Sequence, residues 1–537
     1  MQRILILLVF MSAMAAQGQV KSQVYVDGKL HDELEFRDTV QLSSYIQKIQ
    51  VRWVDQGYYF SGIDSLIDGE NGYKVYLHKG EDRKVRLEEY NGKKIVRHLE
   101  KQLDDFSNNG YPFASITLDS LKADDEHMSG KLRVMPGPEI TYDSAFFFNP
   151  VKTNHSYIYH LLDIIPGNKF GERSYRQILK KIDRSPFLTI QRPTDLSFKN
   201  KQAKTFLDIK EEAANSFQGV LGLQQSGSQS TTVVGNIELD IQNLFRSGKQ
   251  FMFSWERFSE QSQSLNVFYK HPFFLDSKIS PSFSFDLLKQ DTTFLTRRFG
   301  LGVHTYIAPR VEMFLSYEQT KGTLLTTDIQ TLEASGLAGF TRTLYSLQLS
   351  KGDLVSLGRL TKGVVWSATT SAGNKQVDRS LEIPDTYYDS MQEKTSFYRF
   401  EGVLAYQLKA FKRQAFFHHI STGKIKNDQL LQNELYRLGG LFSLRGFNEK
   451  DIFARHYFLS RMEFRSFFEE RSYAYVFYDQ LIFEKRDIRD YPFGVGLGFA
   501  LETSAGQFTF ALAVGDSKNQ SISFSTMKAH FGYISRF

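Results

Sequence analysis

The C-terminal part of the sequence alternates apolar and polar residues with a period of two. The pattern is clearest in three stretches, at 251–256, 282–286 and 508–514. Alternate side chains of a β-strand point to opposite faces of the sheet, so each stretch predicts a strand with one strongly apolar face. Both a soluble β-sandwich and a membrane barrel give this alternation, and further features are needed to separate them.

Composition removes several classes of function. The chain contains Phe 47, Tyr 27, Trp 3 and Cys 0, and its 66 basic and 60 acidic residues leave a formal charge of +6. Without cysteine, disulfides, thiolate–metal sites and catalytic thiols are excluded. A charge this small over 537 residues, with no Lys/Arg-rich run, argues against nucleic acid as a partner.

The N-terminus predicts export. Arg3 is followed by an apolar run, 4–14, and by small residues up to Gly18. This is the layout of a cleavable signal peptide, which we place at 1–18, with a retained anchor as the alternative. No other stretch approaches the roughly 18–20 uncharged apolar residues of a membrane helix.

Export, the outward aromatics and the closing Phe537 favour a closed barrel in a membrane over a soluble sandwich. In lipid every backbone polar group must be paired, so the sheet has to close. At about 20 residues per strand with its turn, 214–537 predicts an antiparallel transmembrane β-barrel of about sixteen strands.

The region before the barrel contains an internal repeat. The segment 57–63 (GYYFSGI) returns as 110–116 (GYPFASI), and a helical pattern precedes each copy. Both copies lead into strand-like segments, so each unit is predicted to be a helix followed by a two-stranded hairpin. We expect three α+β modules, at 19–84, 85–139 and 140–213.

The motif at 437–447, RLGGLFSLRGF, carries a family resemblance. Together with 460–465, 476–479 and the aromatic-ended segment 530–537, it resembles the BamA/TamA superfamily, whose barrels follow POTRA domains. The last segment departs from the family at Ser535, where a second aromatic is usual. Three modules and about sixteen strands resemble the TamA-like branch most.

The resemblance implies a loop that folds into the barrel lumen. Its Arg445 would reach Asp479, with Glu463 nearby, while Gly446 permits the turn and Phe447 packs below it; we call these five residues the loop latch. A guanidinium matches carboxylates in fixed geometry. The alternative is that Arg445 and Asp479 are ordinary solvated charges.

A weak seam between the first and last strands is the second implied site. It would include Gly219 and Gly222 of a first strand, 216–225, and Gly532 and Phe537 of the last. Glycine weakens a strand, although relief of crowding inside the barrel explains these glycines equally well. A cysteine pair at Leu221 and Tyr533 is expected to lock the seam.

The implied function is outer-membrane protein assembly or translocation in a Gram-negative bacterium, with the modules in the periplasm. The expected partners are unfolded outer-membrane or secreted polypeptides and outer-membrane lipid; accessory periplasmic or lipoprotein subunits stay open. The alternatives are a two-partner-secretion transporter and a passive porin or uptake channel. We expect no enzyme, no cofactor and no metal site, since no catalytic motif occurs and His418 and His419 would point to opposite faces of a strand.

Overall fold

The computed structural model describes residues 20–36, 38–69, 72–87, 90–92, 94–124, 127–226, 230–352, 362–485, 488–503, 506–518 and 520–536. The predicted signal peptide and Phe537 therefore lie outside the described residues. The chain divides into two compact units. One contains Met1–Ser144, Ile164–Arg176 and Leu196–Thr205, and the other contains Ala145–Asp163, Gln177–Asp195 and Phe206–Phe537.

The first sheet covers one face of a long helix. Asp38 caps the helix N-terminus, because its side chain accepts a hydrogen bond from the Gln41 backbone N–H at 2.8 Å. The helix buries one face, including Leu42 and Trp53, against the sheet, as its spacing predicts. The sheet order is β2-β1-β4-β3. The elements are β1 (Val20–Val26), β2 (Lys29–Phe36), α1 (Thr39–Asp55), β3 (Gly62–Gly69) and β4 (Gly72–His78).

A second sheet repeats this arrangement. Its order is β6-β5-β8-β7, in which β5 and β8 run parallel in the centre, as β1 and β4 do in the first sheet. The repeated Gly-Tyr segments thus lie at equivalent places, between a helix and the hairpin that follows it. The elements are β5 (Lys84–Arg86), β6 (Asn91–Gly92), α2 (Ile95–Asn108), β7 (Ser115–Ala123) and β8 (His127–Met135).

Residues 140–213 contain shorter elements and are divided between the two units. They are β9 (Thr141–Tyr142), β10 (Phe146–Phe147), α3 (His155–Leu162), α4 (Glu172–Arg176), α5 (Ile178–Ile182), β11 (Leu188–Ile190), β12 (Asp195–Lys199), β13 (Gln202–Leu207) and β14 (Ile209–Glu211). In the second unit, α3 and α5 pack close to turns of the barrel. Arg184 donates to the Pro309 carbonyl at 2.7 Å, and Tyr157 lies against Phe273.

The strands that follow form a closed antiparallel barrel. They are β15 (Ser216–Ser226), β16 (Ser230–Leu244), β17 (Lys249–Arg257), β18 (Gln263–Lys270), β19 (Ser280–Gln290), β20 (Phe294–Ala308), β21 (Val311–Leu324), β22 (Gly339–Lys351), β23 (Gly363–Asp378), β24 (Lys394–Phe411), β25 (Gln414–Lys426), β28 (His456–Phe467), β29 (Tyr473–Lys485), β31 (Phe493–Glu502), β32 (Gln507–Asp516) and β33 (Lys528–Arg536). Outside this set lie a small hairpin, β26 (Tyr436–Leu438) with β27 (Ile452–Ala454), the short β30 (Ile488–Asp490) and a loop helix, α6 (Ile329–Ser335).

Sixteen strands span the barrel in the described residues, and β15 pairs with β33 to close it. The predicted antiparallel barrel of about sixteen strands is confirmed. We call the end at which β15 begins and β33 finishes the turn end, and the opposite end the loop end. No helix in the described parts of the chain combines the length and apolarity needed to cross a bilayer.

Candidate functional site

The loop between β25 and β28 folds into the barrel lumen. Its two sides pair as the hairpin β26–β27, from Tyr436 opposite Ala454 to Leu438 opposite Ile452. Gly439 and Gly440 follow with φ of +113° and +92°, a region that side chains other than glycine rarely adopt. A Cβ on Gly439 would lie 2.2 Å from the Asn448 carbonyl oxygen. These two glycines therefore let the tip of the loop, 439–451, turn tightly.

Arg445 is the centre of the lumenal contacts. Its Nε and NH2 donate to the two carboxylate oxygens of Asp479 at 2.7 and 2.6 Å, and its NH1 donates to Glu463 at 2.7 Å. The backbone N–H of Arg445 also donates to Asp479, at 3.2 Å. The guanidinium lies 3.6 Å from the ring centroid of Phe477. Every charged atom of this group is therefore placed against a specific partner.

Arg445 is charged despite being 1% exposed. Burial alone would lower the pKa of Arg445, but the carboxylates of Glu463 and Asp479 more than compensate and raise it above its ordinary value. Asp479 is itself 0% exposed. Removing Arg445 would take from Asp479 its bidentate partner, and removing Asp479 would leave the buried guanidinium with one carboxylate, so either change is far more costly than losing an exposed ion pair.

The neighbours of Arg445 fit a slot lined by glycines. Gly446 has a φ of +91°, and a Cβ there would lie 2.8 Å from the Val514 backbone. Across the slot, a Cβ on Gly494 would lie 1.9 Å from the Arg445 carbonyl oxygen, and one on Gly515 would lie 2.5 Å from the ring of Phe447. The loop approaches β31 and β32 this closely because both strands have glycine there.

The structure thus brings all five residues of the loop latch together. Phe447 is 7% exposed and packs in an apolar cluster with Leu444, Leu459 and Leu481. Phe477 and Asp479 share one face of β29, as alternation predicts. The contacts rule out ordinary solvated charges for Arg445 and Asp479, while the role of the latch in assembly stays a prediction.

Sequence reasoning missed two further arginines on β28. Arg461 donates to the loop carbonyls of Phe442 and Leu441 at 3.0 and 3.2 Å. Arg465 pairs with Glu463 at 2.7 Å, so Glu463 bridges two cations. The signal was present, because Arg461, Glu463 and Arg465 are alternate residues of one strand and must face the same side.

A second attachment, which no sequence pattern predicted, joins the loop to the wall formed by β17 and β18. Lys450 pairs with Glu256 and donates to the Ser264 hydroxyl at 3.2 Å. Arg437 lies between two rings, 4.9 Å from the centroid of Phe258 and 4.8 Å from that of Phe453. The loop is therefore held at two separate parts of the wall, β17–β18 and β28–β29.

The seam between β15 and β33 is short. Residues 216–221 pair with 531–536, whereas 222–226 of β15 pair with β16 but not with β33. The pairing of β23 with β24, by comparison, extends over 363–376 and 394–407. Among the residues that the structure describes, one side of β15 thus has no partner strand toward the loop end.

The predicted seam glycines occupy this region. Gly219 lies opposite Tyr533, Val220 opposite Gly532, and Gly222 is beyond the paired part. A Cβ on Gly219 would meet no atom within 4 Å, so crowding does not require glycine there. Phe537 lies outside the described residues. The cross-link expected between Leu221 and Tyr533 is wrong in register, because Leu221 lies opposite Phe531.

The adjacent histidines do not form a metal pair. His418 lies opposite Met462 on the outer face of the barrel, and His419 lies opposite Arg461 on the inner face. Within the described residues, no three His, Asp or Glu side chains are grouped so that they could hold a metal ion.

Solved structures with a similar fold include two CdiB proteins. CdiB from Acinetobacter baumannii matches with a TM-score of 0.56 at 11% identity, covering 98% of this chain and 91% of that chain. This chain has the fold of the CdiB barrels. CdiB from Escherichia coli matches with a TM-score of 0.52 at 13% identity, covering 98% and 92%.

BamA from Haemophilus ducreyi, in a crystal structure lacking POTRA domains 1–3, matches with a TM-score of 0.46 at 13% identity over 83% of this chain and 94% of that chain. No protein-family model and no curated protein matches the sequence. The fold expected from the BamA/TamA resemblance is confirmed. The TamA-like branch stays a prediction.

Proposed function

We propose that this chain is an outer-membrane barrel that inserts or translocates polypeptides. The observation that carries the proposal is the inward loop, whose buried Arg445 is bonded to Asp479 and Glu463 on the lumenal wall. A passive channel has no need of a loop fixed across its lumen by buried charges that are costly to desolvate. The proposed function is not enzymatic.

The orientation follows from the order of the chain. The modules precede β15, which begins at the turn end, so the turn end would face the periplasm together with them. Strands β2, β3, β6 and β7 lie at the edges of their sheets. Such edges can pair with an extended polypeptide through main-chain hydrogen bonds, and we propose this mode for recognition of unfolded substrates. On this basis the modules are POTRA-like.

Insertion would use the seam. Residues 222–226 of β15 offer backbone groups to an incoming strand on the side where β33 does not pair. Opening the rest of the seam means separating 216–221 from 531–536, which pair with each other in the described part of the two strands. An incoming strand would replace these hydrogen bonds one by one, so that no backbone group is left unpaired in lipid.

Secretion of a dedicated partner polypeptide through the lumen is the second candidate. The lumenal wall supports it with a polar surface, where Arg298, Arg342 and Arg399 surround Glu318 at 3.6, 3.7 and 3.3 Å. For an extended chain to pass, the loop would have to leave its two attachments. The seam would stay closed throughout.

Depletion of the protein followed by outer-membrane proteomics separates these functions. An insertase predicts loss of many barrel proteins; a secretion pore predicts that one exported polypeptide accumulates in the periplasm. The depleted strain is complemented with wild type, with Arg445→Ala and with Arg379→Ala, a control whose arginine pairs with Asp385 on the surface. If Arg445→Ala restores growth and the proteome as fully as Arg379→Ala does, the role of the loop latch in this function is refuted.

A further inference from the structure

The outer face of the barrel carries an aromatic band near the loop end. On β19–β25 alternate residues face outward, and cross-strand pairs such as Phe400 with Lys424 lie on the same face. The outward aromatics are strongly exposed: Phe299 50%, Tyr317 37%, Tyr345 64%, Tyr398 41% and Phe400 50%. Rings of this kind mark the boundary between lipid tails and headgroups on membrane barrels.

Basic side chains lie directly beyond this band on the same strands. Arg297 is two residues from Phe299, Lys321 is four from Tyr317, and Lys394 is four from Tyr398, each toward the loop end. Lys426 is paired with Tyr398 across the strands. With Lys289, six outward-facing cations lie at the loop end of β19, β20, β21, β24 and β25. We call them the basic arc: Lys289, Arg297, Lys321, Lys394, Lys424 and Lys426.

The arc is not neutralised by the protein. Five of its members are exposed, and Lys289 is partly exposed. None of the six takes part in an ion pair with another described residue. Among the described residues of these strand ends, one acidic side chain faces outward, that of Asp378, which accepts a hydrogen bond from Thr341 at 2.8 Å. The lumenal wall differs, because its arginines have acidic partners: Arg298, Arg342 and Arg399 are each paired with Glu318.

The wall that contains the seam has fewer outward cations at the loop end. On β28–β32 the outward charges in the described residues are Glu484, which pairs with Arg489, and Asp516, with His456 beside them. On β17 the exposed Arg257 also faces outward and donates to the Ser259 and Glu260 carbonyls. Outward cations are therefore more numerous on β19–β25 than on the strands beside the seam.

We propose that the basic arc binds phosphate groups of anionic lipids in the leaflet that surrounds the loop end. The aliphatic stems of Lys and Arg can lie along the apolar band while their charged heads reach the headgroup plane. Juxtamembrane cations attract anionic headgroups, and their contributions add along a row. The continuity of the arc with the aromatic band places these charges at headgroup depth, which favours lipid over a soluble acidic partner.

The proposal rests on the membrane location given above. It adds that lipid is bound on the wall opposite the opening edge of the barrel. Lipid held there would fix one side of the barrel in the bilayer and leave the seam in contact with exchangeable lipid.

Lipid binding can be measured on the full chain in a neutral detergent. Phosphatidic acid or phosphatidylcholine is added, and bound lipids are counted by native mass spectrometry. We expect wild type to prefer phosphatidic acid. The arc variant removes five charges, and its affinity for phosphatidic acid should fall at least about tenfold, given roughly fivefold per cation near an anionic surface. Its substitutions are Arg297→Gln, Lys321→Gln, Lys394→Gln, Lys424→Gln and Lys426→Gln.

A matched control removes five exposed charges from the region before the barrel. Its substitutions are Lys84→Gln, Lys101→Gln, Lys131→Gln, Arg133→Gln and Lys199→Gln. Both variants must show the gel mobility of a folded barrel. Loss of preference in the arc variant alone supports the proposal. Equal binding by wild type and the arc variant would overturn it, as would equal loss in the control. A chain that does not enter detergent micelles or bilayers at all would instead refute the membrane location.

Discussion

The barrel is held together very differently at the seam and at the loop latch. At the latch, Arg445, Glu463 and Asp479 join a loop to two adjacent strands through buried, charge-assisted hydrogen bonds of 2.6–2.7 Å. At the seam, β15 and β33 share only the pairing of 216–221 with 531–536. The proposed insertion mechanism therefore predicts that the wall opens at its seam while the lumenal loop keeps its place.

Locking the seam should have the largest effect. Leu221→Cys with Phe531→Cys places two thiols on directly opposed residues, in a chain that has no other cysteine. Under oxidising conditions we expect complete loss of substrate insertion, restored by reductant. The readout is insertion of a barrel substrate into proteoliposomes. A control pair at Leu404 and Ile420, opposed on β24 and β25, should leave insertion intact. Full activity of the cross-linked seam would exclude lateral opening.

Removing the latch arginine should have the next largest effect. Arg445→Ala takes from the buried Asp479 its bidentate partner and from Glu463 one of its two cations, at a cost of up to about 3–5 kcal/mol. We expect a lower denaturation midpoint of the barrel and faster proteolysis within 439–451. Arg379→Ala, at an exposed pair, should change stability by less than about 1 kcal/mol. Equal midpoints for the two variants would show that the latch does not stabilise the loop.

The second attachment should matter less. Glu256→Gln removes the partner of Lys450 at a partly exposed position, where one ion pair is worth about 1 kcal/mol. A spin label on Phe442→Cys, an exposed loop position, reports loop mobility. We expect mobility to rise in Glu256→Gln and to stay unchanged in Glu484→Gln, whose pair with Arg489 lies on the outer surface. Unchanged mobility in both would show that the contacts with β28–β29, made by Arg445 and Arg461, hold the loop without the second attachment.

The smallest effect should be a pH dependence of the loop. Burial, reinforced by Glu256, raises the pKa of Glu449 to about 7 from an ordinary 4.5. The folded loop therefore keeps a proton that the unfolded chain releases. This stabilisation is complete below pH 4.5 and is lost as pH rises to about 7. The spin label should accordingly become more mobile between these values. Glu449→Gln should flatten the profile, and the exposed Glu382→Gln should not.

Much of the fold could be predicted because its signals are periodic. The period of two in the barrel strands and the helical spacing of Leu42, Ile46, Ile49 and Trp53 are local patterns, and the structure buries or exposes those faces as expected. The latch could be predicted only from the resemblance carried by 437–447. Without it, nothing local connects Arg445 to Asp479, which is 34 residues away.

The features that could not be predicted, the pairing at the seam and the second attachment of the loop, depend on strand register and on contacts between distant strands. The cross-link prediction failed because a two-residue shift of β33 against β15 leaves no trace in either strand's own sequence. Lys450 and Glu256 are separated by 194 residues, and their pairing appears only once the barrel is closed. Sequence patterns describe the faces of strands but not which strands a long loop will touch.

Gly494 and Gly515 contribute to the latch because they have no side chain. The space that a Cβ would fill at these positions is occupied by the Arg445 carbonyl and the Phe447 ring. Even alanine at either position would compete with the loop for this volume and push it toward the pore axis, although no bond to the guanidinium would be touched. A survey of tolerated substitutions would therefore find that both positions accept only glycine, although neither makes a side-chain contact of its own.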